Sequence, residues 1–113
     1  MLDVREYVDS VGRSPFTRWL NALNVQAAAK VATALERISD GNLSNVKSVG
    51  SGVLEYRIDF GPGYRIYLGR DGDRLVILLA GGTKSRQQND IQRAQGYWVD
   101  YRDRKSEGKT GWH

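Results

Sequence analysis

The stretch VLEYRIDFGPGYRIYLGRDGDRLVILLA, residues 53–80, decides the fold. Its apolar residues recur with period two, and Gly61-Pro62-Gly63 and Asp71-Gly72 interrupt the pattern with turn chemistry, which predicts three strands of an antiparallel meander. In the first run Leu54, Tyr56, Ile58 and Phe60 share one face, while Val53, Glu55, Arg57 and Asp59 share the other. In the second run Tyr64, Ile66 and Leu68 oppose Arg65 and Tyr67. One face of the meander is therefore expected to be core and the other polar. The third run, LVILLA at residues 75–80, is apolar on both faces, as expected of a strand at the centre of a sheet.

Upstream of the meander the period is helical. Ser14-Pro15 supplies a cap and a first helical residue, and Phe16, Trp19, Leu20 and Leu23 follow at i, i+3, i+4 and i+7. After a break near Asn24, a second stripe of Ala28, Val31, Ala32, Leu35 and Ile38 predicts a longer helix that stops at Asp40-Gly41. Residues 2–8 alternate loosely and read as a first strand. Downstream, Gly81-Gly82 is expected to end the third run. Ser85 and Gln88 then match a capping box, opening a helix whose buried stripe is Ile91, Ala94, Trp98 and Tyr101. Residues 105–113 show no periodicity and read as a flexible tail, leaving residues 1–104 as one domain.

Composition narrows the chemistry. A chain of 113 residues with 40% hydrophobic and 27% charged residues is one globular domain, and with no cysteine it holds no disulfide. The single histidine is the last residue, His113, so a Cys/His zinc site and a Ser-His-Asp triad are both excluded. Catalysis, if present, falls to Lys, Arg, Tyr, Glu or Asp, and neither metal nor cofactor is expected. Seventeen basic against thirteen acidic residues leave a net charge of +4, which suits an anionic partner. No stretch approaches the ~20 apolar residues of a membrane span, and MLDVREYVDS lacks the apolar run of a secretory signal, so no membrane partner and a cytoplasmic location are expected.

The polar face of the meander carries the functional signal. Strand pairing sets Glu55 and Arg57 beside Arg65 and Tyr67, with Lys84 beyond the last strand and Lys47 upstream at the rim. Two guanidiniums and an ammonium in one concave patch suit a phosphate, and a helix N-terminus next to Lys84 favours the same charge. The plainer alternative makes Glu55 and Arg57 ion-pair partners on a solvated face and Lys47 a solvated lysine. Trp19 and Trp98 read as core anchors, and parity with Arg65 makes Tyr67 the aromatic most readily released from the core.

The ordered segments SPFTRWLNAL (residues 14–23), GNLSNVKSVGSGVLEYRIDFGPGYRIYL (41–68) and LVILLAGGTKSRQQNDIQRAQGYW (75–98) resemble a known family. They look like the phage-derived killer-protein branch of HigB-type toxins, in the RelE/ParE superfamily of bacterial type II toxin-antitoxin modules. The chain departs from that branch at Ser44-Asn45, where Gly-Asp is frequent, and at Thr83, where an acidic residue is common.

The resemblance implies an α+β, RelE/ParE-like fold: an N-terminal strand and helical hairpin on a curved antiparallel sheet, with a C-terminal helix. It also implies a metal-independent, ribosome-dependent mRNA endoribonuclease, an mRNA interferase neutralised by a cognate antitoxin, commonly a helix-turn-helix HigA-type protein. Carried over residue by residue, Glu55 matches a base position, Arg65 the phosphate-stabilising arginine, and Lys84 the acid or charge-stabilising group after the last strand. Arg57 joins them as a second phosphate ligand by parity, while Lys47 and Tyr67 are assigned to RNA, Tyr67 also as an alternative acid. Two other readings remain open: a ParE-like inhibitor of DNA gyrase, and a non-catalytic relative that only binds its antitoxin.

Overall fold

The elements follow the periodicities, with departures on α2, on the second face of the sheet, at Gly81-Gly82 and at the C-terminal end. In the computed structural model, which describes residues 1–108, β1 (Asp3–Glu6) leads through α1 (Pro15–Asn21) and α2 (Val25–Ser39) to β2 (Val46–Ser48). The chain continues through β3 (Val53–Ile58), β4 (Tyr64–Asp71) and β5 (Leu75–Thr83), then a 3-10 turn (Lys84–Arg86) and α3 (Gln87–Ser106). The sheet order is β1-β5-β4-β3-β2; β2 to β5 pair antiparallel, and β1 joins β5 in parallel. This is the expected α+β class, an open sheet with helices and a C-terminal helix.

Local chemistry accounts for the helix starts. The Ser14 hydroxyl accepts from the Thr17 amide at 3.1 Å and Pro15 takes the first helical position, where its missing N–H costs nothing. Asn24 does the same for α2, accepting from the Ala27 amide at 2.8 Å. The buried stripe of α2 is Ala27, Val31, Ala34 and Ile38, while Ala32 is exposed and Ala28 and Leu35 are only partly buried. The alanine positions of the expected stripe were thus misplaced. A methyl group adds so little to the apolar pattern that the helix face is set by Val31 and Ile38 alone.

The first core forms as expected. Tyr56, Ile58, Ile66, Leu68, Val76 and Leu78 meet Phe16 of α1 and the α2 stripe on one side of the sheet. The opposite face, expected to be polar and open, is largely a second core. There Val53, Tyr67, Ile77, Leu79 and Ala80 lie beneath Ala94, Trp98 and Tyr101 of α3. Trp98 makes this docking possible by resting on glycine: a Cβ at Gly69 would stand 2.5 Å from the indole and one at Gly52 2.7 Å. Tyr67 therefore has no exposed surface and is not released from the core.

The third departure is at Gly81-Gly82, which continue β5 rather than end it, pairing with Ile66 and Arg65. A bulge makes the register. Tyr67 pairs with Ala80 but Leu68 with Leu78, so Leu79 is the extra residue and Gly82, not Gly81, comes to lie opposite Arg65. Both glycines are seats. A side chain at Gly81 would collide with the Trp19 ring, and one at Gly82 with the Asp90 carboxyl group.

The C-terminal expectation also shifts. Lys105 lies inside α3, its Nζ 2.6 Å from both carboxylate oxygens of Asp71, and residues 109–113 of the expected tail lie outside the described residues. Among the described residues no helix is long and apolar enough to cross a membrane.

Gly81→Ala and Gly82→Ala are each expected to lower stability by about 1–3 kcal/mol through overpacking. Gly96→Ala, on a helix position with nothing within 4 Å of a new Cβ, should instead raise it by about 0.5–1 kcal/mol. Denaturant midpoints of the three variants check both signs; equal midpoints for Gly82→Ala and wild type would mean that Asp90 is free to leave the strand.

Candidate functional site

Strand register sets two adjacent cross-strand rows on the α3 side of the sheet. One runs Lys47, Glu55, Tyr67, Ala80, and the next runs Arg57, Arg65, Gly82. The first turns of α3 close over both rows, supplying Gln87 to the first and Asp90 to the second.

Glu55 is fully buried. Its Oε2 accepts from the Tyr67 hydroxyl at 3.1 Å and from Gln87 Nε2 at 2.8 Å. Its Oε1 has no hydrogen-bond partner and faces Lys47 Nζ at 3.8 Å. The ion pair on this strand is thus Lys47 with Glu55, not Arg57 with Glu55. Burial, reinforced by the Glu55 charge, raises the Tyr67 phenol far above its ordinary range, so Tyr67 holds its proton as a donor to Glu55. The expected placing of Tyr67 among solvent-facing RNA contacts does not survive this burial, because α3 covers its ring.

Arg65 is only 4% exposed, and among the described residues its side chain forms no ion pair and no hydrogen bond. Its directly opposed neighbour is a second guanidinium, Arg57, which is exposed and likewise without an ion pair among the described residues. Like charges placed opposite each other across a strand pair are destabilising, and a buried cation without a counterion costs more. Both costs fall away when an anion with several acceptor oxygens sits between the two guanidiniums.

Asp90 completes the second row. It is 7% exposed, its Oδ2 lies over Gly82 without a hydrogen-bond partner, and burial raises its carboxyl group against the pull of Arg86 and Arg93. Among the described residues the buried side-chain atoms without hydrogen-bond partners are Glu55 Oε1, Arg65 Nε and Asp90 Oδ2. All three belong to this one site. Native interiors leave few such groups, and strain, an ordered water or ion, a ligand or a catalytic role accounts for those they leave.

Sequence reading missed Gln87 and Asp90. The signal was present: Gln87, Asp90, Ile91 and Ala94 fall at i, i+3, i+4 and i+7, so the stripe that buries Ala94 also carries two polar groups onto the sheet. The expected capping box is absent, because the 3-10 turn takes Lys84–Arg86, Arg86 stands at the N-cap, and the Ser85 hydroxyl lies 3.1 Å from that of Thr83. Lys84 is exposed beside the Gly61-Pro62-Gly63 turn, its amide donating to the Gly63 carbonyl at 2.9 Å. It follows Thr83, the partner of Tyr64 next to the Arg65 row.

On the outer side of Arg57 a cleft of about 530 Å³ opens between α2 and the β2–β3 edge, lined by Lys30, Arg37, Lys47 and Arg57 with Asp59 as the one acidic group. The site as a whole is a buried guanidinium at the end of a cationic track.

Residues 18–95 match the family model described as phage-derived protein Gp49-like (DUF891). This chain belongs to the Gp49-like family. A Haemophilus influenzae protein (strain ATCC 51907 / DSM 11121 / KW20 / Rd), named only as an uncharacterized protein, is 47% identical over 81 residues, 71% of this chain and 82% of its own length. The family is associated with RelE/HigB-type toxins. In this Gp49-like protein the matched segment contains both rows, Lys84, Gln87 and Asp90.

A guanidinium kept for an anion is dispensable for folding. Arg65→Met in this Gp49-like protein is expected to be within about 1 kcal/mol of wild type or more stable, since it removes an uncompensated buried charge. Thermal melts in anion-free buffer check this, and a loss above about 3 kcal/mol would make Arg65 a structural residue instead.

Proposed function

We propose that this chain is the toxin of a type II toxin-antitoxin module, a metal-independent, ribosome-dependent mRNA endoribonuclease restrained by a helix-turn-helix antitoxin of the HigA type. The observation that carries this reading is Arg65, a buried guanidinium without a counterion among the described residues, faced by Arg57 and flanked by other unsatisfied polar atoms. Membership of a toxin-associated family and the resemblance of the meander motifs to HigB-type sequences support it. A surface that only bound a protein target would have no use for a desolvated cation with nothing to neutralise it.

In this mechanism the ribose 2′-oxygen attacks the adjacent phosphorus and the bond to the 5′-oxygen breaks, leaving a 2′,3′-cyclic phosphate and a 5′-hydroxyl. Arg65 and Arg57 hold the phosphate and stabilise the charge that grows on its oxygens; Arg65 acts from a largely desolvated position, where such interactions are strongest. Glu55 Oε1 is the acceptor for the 2′-hydroxyl proton once the ribose displaces the half-exposed Lys47 side chain that covers it. Lys84 donates to the leaving 5′-oxygen, a role that arginine fills poorly because its pKa exceeds 12. Tyr67 and Gln87 act through Glu55 by fixing its other oxygen. The cationic cleft beyond Arg57 tracks the RNA backbone.

Expressed without antitoxin, the wild-type chain is expected to arrest growth, and soluble Arg65→Ala and Lys84→Ala variants are expected not to. Ribosome co-sedimentation should weaken with salt, with a log–log slope of about −2 for three cationic contacts to a single strand. Full toxicity of both variants, or salt-independent association, would count against the assignment.

A further inference from the structure

Beyond the point where β1 stops at its Glu6–Leu78 pairing, the free side of β5 opens a second cleft of about 280 Å³ between α1 and α3. It is lined by Trp19, Tyr97, Gly82 and Asp90, with the Asp90 carboxyl group against Gly82, and by Arg86 and Arg93. None of these residues has a role in the mechanism above. The aromatic walls are braced: Tyr97 stacks on Tyr7 at 5.1 Å between ring centroids, and Trp19 packs against Phe16 at 5.7 Å, while both Trp19 and Tyr97 remain partly exposed.

We propose that this cleft is a nucleobase subsite of the same RNA site, built for guanine. Three observations join. The volume falls just below the roughly 300–1,000 Å³ of ordinary small-molecule sites, which suits one planar ring system. Asp90 is more than nine-tenths buried and has an unpartnered oxygen, which a ligand hydrogen bond near the strand would relieve. Gly82, in the lining of the cleft, is the cross-strand partner of Arg65, so a phosphate at Arg65 and a base beside Asp90 are served by neighbouring strands.

The choice of base follows from the carboxylate, which only accepts hydrogen bonds. Guanine presents two adjacent donors, N1–H and the N2 amino group. Adenine and cytosine set an acceptor nitrogen beside their amino group, and uracil flanks its one donor with two carbonyl oxygens. Each of these three therefore brings an acceptor against Asp90. Arg86 and Arg93 serve the neighbouring phosphate, completing recognition of a nucleotide.

This inference rests on the RNA reading, yet its test needs no cleavage. The purified full chain is titrated with GMP, AMP, CMP and UMP while the Trp19 indole and Gly82 amide resonances are followed by NMR. GMP is expected to bind about tenfold more tightly than the other three. Asp90→Ala should abolish that preference, Asp90→Asn should do so as the conservative control, and Arg65→Ala should weaken all four alike. Equal binding of the four nucleotides, a preference retained in both folded Asp90 variants, or shifts produced by arginine ethyl ester but by no nucleotide would overturn the proposal. A GMP preference in a chain that cuts no message upholds the subsite and removes the nuclease reading. Message cleavage by a chain with no preference for GMP at Trp19 does the reverse.

Discussion

The docking of α3 across the sheet is the constraint on which the rest depends. It is possible only because β4 and β5 present glycine where the helix must come close: Trp98 lies on Gly69, and Asp90 lies on Gly82. Once seated, α3 turns most of a strand face into a second core and leaves polar groups of that face to be resolved at its N-terminal end. Tyr67 and Gln87 satisfy one oxygen of Glu55, and Lys47 lies against the other. The Arg65 side chain is left without an ion-pair partner among the described residues. The helix that stabilises the sheet is therefore also what desolvates the site.

Desolvation explains why the site is concentrated rather than spread over the surface. An exposed arginine is well hydrated and binds a phosphate weakly against that competition, whereas a 4% exposed guanidinium has given up most of its hydration. The cost of that loss is carried by the two cores, one under α1 and α2 and one under α3. The opposition of Arg57 and Arg65 adds a repulsion that an incoming anion relieves.

Much of this was legible in residues 53–80. Alternation places Glu55, Arg57, Arg65 and Tyr67 on one face, the turns set which strands pair, and the doubly apolar LVILLA is an interior strand between β1 and β4, although β4 and not β5 takes the middle of the sheet. What alternation does not carry is what lies above the face. Tyr67 reads as open because nothing in a strand pattern reports a helix arriving some twenty residues later. The α3 stripe announced a buried helix side, but the polar members of that stripe, Gln87 and Asp90, are invisible to a reading that tracks apolar residues. Gly81-Gly82 reads as a strand end because glycine is a breaker by propensity, whereas here it is the consequence of Trp19 and Asp90 occupying side-chain space. The bulge at Leu79, which brings Gly82 opposite Arg65, leaves no local signature in LVILLAGG.

The central claim is that Arg65 holds the phosphate of an RNA strand while that strand is cut. The most direct measurement is a 5′-end map of translated messages, by primer extension, minutes after the chain is induced without its antitoxin. New in-frame ends within coding regions that vanish in soluble Arg65→Ala are the predicted result. Growth arrest with intact messages and inhibited DNA supercoiling, or an unchanged cleavage map in Arg65→Ala, would contradict it.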